Sequence, residues 1–336
     1  MKNIKIKHLK IVIFFLIILF AFKNFTQTIS NLPYLKNDSF TIPPEYNNDF
    51  SSILFDKPFE SLINVINLSL PLEPTQLYSY IKCRKSKKIL ISTTLCIHDL
   101  NQDIHVSGSI WQNGIWESHI VKLYLNYLKE NNDWMVFDIG AHIGVYTLLA
   151  AKLGKQVISV EPFYDNILRL HKGAKIESLT DRITLISNAL SNRRNEIKRL
   201  TQENQNIGGQ SLMIFKNEKL NELKKDKFLV KTIILDDLVE FIPRKSNGDK
   251  FKKAIFKIDI EGFEIYAFQN ASKLFDSIDI RIVFMEWGNF PKLIDHYQLV
   301  EKMIDFFTKR NYSPSKKELP LKFWEYWTWD IMWIKN

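Results

Sequence analysis

Cysteine is scarce in this chain: Cys83 and Cys96 are the only two in 336 residues, and neither they nor the seven histidines form a cluster with structural-zinc spacing. A fold built on structural zinc is therefore excluded. The two cysteines flank a basic turn, Arg84–Lys88, and a β-like run, Ile89–Thr94. In an oxidising compartment they can pair across a hairpin, but spacing alone leaves a reduced pair equally open. Acids are absent from Met1–Lys23, which holds five lysines, so the formal charge of +9 falls to +4 over the rest of the chain. That balance describes an ordinary soluble surface. Lysine-rich patches such as Lys224–Lys227 read as solvated faces, which argues against a nucleic-acid partner. The dinucleotide spacing G-x-G-x-x-G is missing too. With 46% apolar residues, however, the chain has ample material for one large core.

What is present is organised around Trp134–Gly154, WMVFDIGAHIGVYTLLAAKLG. Trp134–Ile139 is a short apolar run suited to a buried parallel strand, interrupted by Asp138 and followed by Gly140. From Gly144 onward Val145, Leu148 and Leu149 recur at helical spacing, and Gly154 stands where a C-terminal cap belongs. Strand, glycine turn and helix leave unpaired backbone N–H groups and a helix dipole at the open end of the turn. A second β-like run, Gln156–Val160, ends on Glu161, roughly twenty residues past the turn, where an acid can hold the two hydroxyls of a ribose. Gly140 and Gly144 follow G-x-x-x-G and an acid precedes them, which suits a pyrophosphate poorly. A cationic, phosphate-free nucleoside fits better. S-adenosylmethionine is such a ligand, with its ribose for Glu161, its amino-acid end for the turn and its sulfonium near Asp138. An ordinary α/β turn with glycines for packing is the plain alternative.

DIGAHIG, then VEPFYDN (Val160–Asn166), SNAL (Ser187–Leu190), KIDIEGFE (Lys257–Glu264) and MEW (Met285–Trp287), in that order, resemble the FkbM-type methyltransferase family over about Trp134–Ile334. The resemblance implies an α/β, class I methyltransferase (Rossmann-like) fold: a mostly parallel seven-stranded sheet, helices on both faces and a terminal antiparallel strand. It also implies S-adenosylmethionine-dependent O-methylation of a hydroxyl on a sugar or natural product. His142 stands where Asn is commoner in the motif. Candidate cofactor-binding residues are thus Asp138, Gly140, His142, Gly144, Glu161 and, for the adenine edge, Asn188, whose alternative role is to cap a strand.

The remaining elements follow as helix (Tyr164–Lys172), strand (Ile183–Asn188), a polar region with Asn206, Gly208 and Gly209, strand (Ala254–Ile260), strand (Ile280–Met285) and helix (Tyr297–Arg310). In Ala254–Ile260 the side chains of Lys257 and Asp259 share one face and can pair. Glu261, Gly262 and Glu264 follow at the carboxyl end, where open α/β sheets bind ligands, and Glu286 ends the next strand at the same edge. Asp259 or Glu261 is the candidate general base, its pKa raised by burial or neighbouring acids, with Lys257 to orient it. The alternative is a buried ion pair with helix-dipole acids. No metal ligand set is assigned; a divalent ion held by these acids stays open. Trp324, Trp327, Trp329 and Trp333 are expected in the core of the terminal strand pair rather than in an acceptor wall. Before the first strand, His105–Glu117 reads either as a segment over the cofactor, bringing Ser107, Trp111 or Glu117 to the site, or as a β-hairpin with a packing tryptophan. The helical pattern His119–Leu128 follows.

Ahead of all this, Lys2, Lys5, Lys7 and Lys10 precede twelve uninterrupted apolar residues, Ile11–Phe22. Twelve are short for a spanning helix, but snorkelling by Lys10 and Lys23 lets Leu9–Phe25 cross a thin bilayer, and no small-x-small cleavage site follows. An uncleaved signal-anchor would make the chain a single-pass type II membrane protein with a lumenal (ER or Golgi) domain; secretion after cleavage is the alternative. Residues 24–76, with six of the eleven prolines and three of the five N-x-S/T triplets, read as a stem. The expected organisation is therefore 1–23 basic flank and anchor, 24–76 stem, 77–133 extension over the site and 134–336 methyltransferase domain. A lumenal enzyme of this type would meet glycans as acceptors. Two other classes remain: a nicotinamide-dependent oxidoreductase and a catalytically inactive, membrane-tethered binding protein.

Overall fold

Met135–Ile139 is buried at all five positions, as a strand with neighbours on both edges and cover on both faces must be. It is β4 of a computed structural model whose described residues are 62–70, 79–213, 226–315 and 320–336, all within one compact unit, Ser51–Asn336. Before it come β1 (Val65–Ile66), β2 (Cys83–Lys85), β3 (Thr94–Cys96), helix α1 (Val106–Asn113) and helix α2 (Ser118–Glu130). After it come α3 (Val145–Lys152), β5 (Val157–Val160), α4 (Tyr164–Ile176), β6 (Ile183–Ile186), β7 (Ala189–Leu190), β8 (Ile197–Arg199), β9 (Leu229–Ile233) and β10 (Lys253–Ile258). The chain closes with α5 (Glu264–Ala267), α6 (Ser272–Ser277), β11 (Asp279–Glu286), α7 (Tyr297–Thr308), β12 (Tyr312–Pro314) and β13 (Asp330–Lys335).

Eight strands make the main sheet in the order β1-β6-β5-β4-β10-β11-β13-β12. The five from β6 to β11 run parallel, and β1, β13 and β12 pair antiparallel with their neighbours. Order reverses between β4 and β10, so the carboxyl ends of these two strands form the crevice where open α/β sheets take ligands. Strand alternation divides the core: Val136, Val157, Ile255, Ile282 and Phe284 pack under α2, α3 and α4, while Met135, Phe137, Ile158, Phe256 and Val283 pack under α6 and α7. Asp138 and Lys257 fall on the first of these faces, opposite one another in register.

Three features depart from the sequence reading. The sheet has an eighth strand because residues 62–70, which composition places in the stem, dock on its edge: Ile66 and Leu68 are buried, and the Asn64 N–H donates to Asn188 Oδ1 (2.7 Å). Proline and Asn content had registered irregular backbone without registering that apolar docking. Likewise, His105–Glu117 is not a β-hairpin but carries α1, ended by Gly114 at φ 82°. Finally, the polar region after Asn188 contributes a small sheet, β7-β9-β8, over a third apolar cluster of Phe163, Ala189, Leu200, Leu212, Val230 and Phe263. Cys83 and Cys96 face each other in register and are joined by a disulfide. The expected anchor (1–23), the stem up to residue 61, residues 71–78 and Lys224–Lys225 lie outside the described residues. Among the described residues no helix is long and apolar enough to cross a membrane.

Candidate active site

The turn after β4 is held open by close backbone approach. Gly140 has φ +77°, and a Cβ there would lie 1.8 Å from the Asp259 carbonyl oxygen, so the segments leaving β4 and β10 touch at this glycine. Behind the turn, Asp138 is buried and accepts a hydrogen bond from Thr147 Oγ1 on α3. Burial pushes its pKa up to about 6 against that hydrogen bond and the charge of Lys257. Gly144 caps α3 at φ +89°, where a Cβ would press on Leu170, 2.7 Å away; it packs the helix and does not line the cavity.

Glu161 follows β5 and is gripped by three N–H donors. Its Oε2 accepts the His142 backbone N–H (2.8 Å), and its Oε1 accepts the Phe163 N–H (2.8 Å) and Asn166 Nδ2 (3.2 Å). Burial nevertheless pushes its pKa up to about 7, because those donors only partly offset desolvation. The His142 side chain lies in the same wall with neither ring nitrogen hydrogen-bonded among the described residues. Asn188 is a correction to the sequence reading. Its carboxamide is used up by the Asn64 N–H and by the carbonyls of Leu62 and Lys231, so it staples β1 and β9 to the sheet; Ala189 and Leu190 line the cavity in its place.

The other end of the cavity is acidic. Lys257 is buried with its Nζ 3.0 Å from Asp259 Oδ2 and 5.3 Å from the centre of the Tyr146 ring. Burial lowers its pKa, but the charges of Asp259, Glu117 and Asp138 win and hold it above the usual lysine value. Glu261, at φ +55°, and Glu286 at the end of β11 face Asp259; one carboxylate oxygen from each of the three lies within 4.8 Å of the others. Asn289 Nδ2 bridges Glu286 Oε2 (2.8 Å) and Glu261 Oε2 (3.4 Å). Burial first, then the Asp259 charge, raises the pKa of both Glu261 and Glu286. Three hard oxygen donors this close could hold a small divalent cation, or share protons in its place. Glu264, expected at the same edge, is buried instead and accepts the Ile260 N–H (2.8 Å), closing the turn from below.

Both ends line one cavity of about 420 Å³. Of the three residues expected from the segment before the first strand, Glu117 reaches it and accepts the Tyr146 hydroxyl (2.7 Å). Ser107 is buried against Asp103, and Trp111 lies on the surface under Arg84. Trp324, Trp327 and Trp333 pack around Trp287 as core. Trp329 does not. It is 55% exposed and lines the cavity, with its Nε1–H donated to Glu286 Oε1 (2.8 Å). Gly288 leaves the room for that ring. Sequence reasoning also missed Tyr146 and Trp116 in the wall; the first is in the turn-helix stretch at the helical position facing β10, the one signal that could have found it.

No curated protein matches the chain. Among solved structures it is similar to a precorrin-6y C5,15-methyltransferase from Geobacter metallireducens GS-15, at 11% identity and TM-score 0.33, with 66% of this chain and 90% of that one covered. It is also similar to the magnesium protoporphyrin IX methyltransferase of Synechocystis PCC 6803 with bound SAM, at 9% identity and TM-score 0.32, covering 65% and 79%. The model of the methyltransferase FkbM domain matches residues 138–314, from Asp138 at the turn to the terminal strand pair. The chain belongs to the FkbM family of S-adenosylmethionine-dependent methyltransferases.

Proposed function

We propose that this chain is an O-methyltransferase that moves a methyl group from S-adenosylmethionine to a hydroxyl of a glycan or other small acceptor. The observation that carries this reading is the continuity of one cavity from the glycine turn and Glu161 to the carboxylates Asp259, Glu261 and Glu286. The residues fit the cofactor: Glu161 offers a carboxylate for a ribose, Asp138 a negative charge for a sulfonium, and Pro162, Leu190 and Phe263 an apolar slot for a base. When bound, S-adenosylmethionine supplies an electrophilic methyl, whose bond to sulfur breaks as its bond to the acceptor oxygen forms. The acceptor hydroxyl must then lose its proton. Glu261, with its pKa raised, is placed to receive it, Asp259 adjoins it, and the Lys257 ammonium fixes Asp259. Trp329 and Trp116 offer aromatic faces to the C–H face of a sugar ring. Alignment and exclusion of water in the cavity supply most of the rate.

Transfer of a radiolabelled methyl group to a panel of glycans, lipids and small alcohols tests the reading. Label recovered in an alkali-stable ether is expected; label only on nitrogen or carbon overturns the O-methyl assignment. The same proposal tethers the domain through residues 1–23 on the lumenal side of the secretory pathway. The Cys83–Cys96 disulfide supports it, since such bonds persist in oxidising compartments. A tag after Asn336 should resist protease in intact microsomes, and its digestion without detergent would reverse the orientation.

A further inference from the structure

Of the N-x-S/T triplets in the chain, those at Asn67, Asn270 and Asn311 fall within the described residues. In a lumenal compartment such a triplet accepts a glycan, provided that its carboxamide nitrogen is exposed and free to react. The fold treats the three differently.

Asn67 follows β1, on the stretch that docks at the sheet edge. Ile66 and Leu68 are buried there, while Val65, Asn67 and Ser69 are exposed. Burial of the middle residue of the triplet thus leaves both of its polar ends in solvent. Asn67 Oδ1 accepts the Ser69 N–H (3.1 Å) and the Ser69 hydroxyl (2.6 Å), and the Asn67 carbonyl accepts the Leu70 N–H (3.2 Å). This turn occupies the carboxamide oxygen and leaves Nδ2 without a hydrogen bond among the described residues. Helix α4 fixes the turn from below: Lys175 Nζ donates to the Ser69 carbonyl, and His171 Nε2 donates to the Leu70 carbonyl (3.0 Å).

The other two triplets are engaged by the fold. Asn270 is half-buried and its Nδ2 donates to the Asn192 carbonyl (2.9 Å), a bond that a glycan on this nitrogen would displace. Asn311–Ser313 runs into β12, where Tyr312 is buried and Ser313 pairs with Ile334. The Ser313 hydroxyl accepts Asn336 Nδ2 (2.9 Å), so it is held away from Asn311 by the terminal strand pair.

We propose that Asn67 is an N-glycosylation site. The proposal rests on the lumenal placement of the domain and adds a modified residue to it. The donor is an oligosaccharide carried on a lipid pyrophosphate. Asn67 Nδ2 forms a bond to the anomeric carbon of the first sugar as the bond from that carbon to the pyrophosphate oxygen breaks; the lipid pyrophosphate leaves, and one amide proton is lost to a base. Among the described residues no strand pairs with the outer edge of β1, and Val65 and Leu70 expose apolar surface beside it. An open edge of this kind invites pairing with other chains, and a bulky, hydrated glycan on Asn67 covers it.

The full chain with a tag after Asn336, expressed in eukaryotic secretory cells, tests the site. Peptide N-glycosidase in heavy-oxygen water turns each glycosylated Asn into an isotopically labelled Asp, which mass spectrometry locates. Label is expected at Asn67 and not at Asn270. Asn67→Gln and Ser69→Ala should each raise gel mobility by one glycan, since either breaks the triplet, whereas Ser69→Thr should leave it unchanged. An unlabelled Asn67 in a chain whose tag is protected from protease in intact microsomes overturns the site and leaves the lumenal placement standing. An unlabelled Asn67 with a digested tag overturns both. Label at Asn270 overturns the argument from the free nitrogen.

Discussion

Glu161 and Asp259 each follow the last residue of a buried parallel strand at the same edge of the sheet, yet their carboxylates meet opposite surroundings. Glu161 is gripped by two backbone N–H groups and one side-chain amide, all from the turn and helix next to it. Asp259 meets the buried ammonium of Lys257 on one side and the acids Glu261 and Glu286 on the other, the latter delivered by a different strand. A carboxylate fixed by neutral donors suits binding, since its geometry is set before the ligand arrives. One set among charges of both signs beside two further carboxylates suits chemistry instead. On the proposed function, the cavity divides into a holding end at Glu161 and a reacting end at Asp259.

The sharpest way to break that division is to replace the acids of the reacting end by amides. Asp259→Asn and Glu261→Gln should slow methyl transfer by about 10²- to 10⁴-fold while leaving affinity for S-adenosylmethionine nearly unchanged. Asp259→Asn should also melt close to wild type, because Glu117 and Asp138 still offset the Lys257 charge. A large drop in melting temperature would return Asp259 to a structural role.

Lys257→Met attacks the same end from the other sign of charge. Removing the cation from a buried pair costs roughly 3–5 kcal/mol. The cost should be largest above pH 7 and shrink below about pH 6, where Asp138, whose pKa is already raised, can take up a proton. Equal destabilisation at pH 5 and pH 8 by denaturant titration would remove the charge argument.

The smallest effect belongs to the holding end. With the pKa of Glu161 raised to about 7, its anionic form is lost as pH falls through that value. Cofactor affinity should therefore fall below pH 7 and level off above it, and Glu161→Gln should bind weakly with no such slope. Titrations from pH 5.5 to 8.5 check this; a pH-independent wild-type affinity would move the ribose contact elsewhere.

The holding end was the more legible in the sequence because it is local. Asp138, Gly140, His142 and Glu161 stand within one strand-turn-helix-strand unit, where period, glycine and acid spacing fix geometry, and they lie where that pattern implies. Asn188 was legible as the end of a strand but not as to partner, because its carboxamide is taken by residues 62–64 and 231, far along the chain. The reacting end was half legible. KIDIEGFE set Lys257, Asp259 and Glu261 together, and Glu286 was placed at the right edge, but nothing in the local pattern gave the separation of their oxygens. The terminal tryptophans show the limit most plainly. All four share one short stretch, and only the turn of the chain before β13, with Gly288 making room, sends Trp329 into the cavity while its neighbours stay in the core.

By itself, then, the sequence determined the central strands β4, β5, β10 and β11, the glycine turn after β4 and the acid that follows β5, since each depends on hydrogen bonds and steric limits within a few residues. Tertiary structure alone decided that β1 would extend the sheet and that Glu117, Tyr146 and Trp329 would wall the acidic end of the cavity. Those outcomes depend on which distant surfaces bury one another, a balance of apolar area and desolvation summed over the whole chain that no window of neighbouring residues contains.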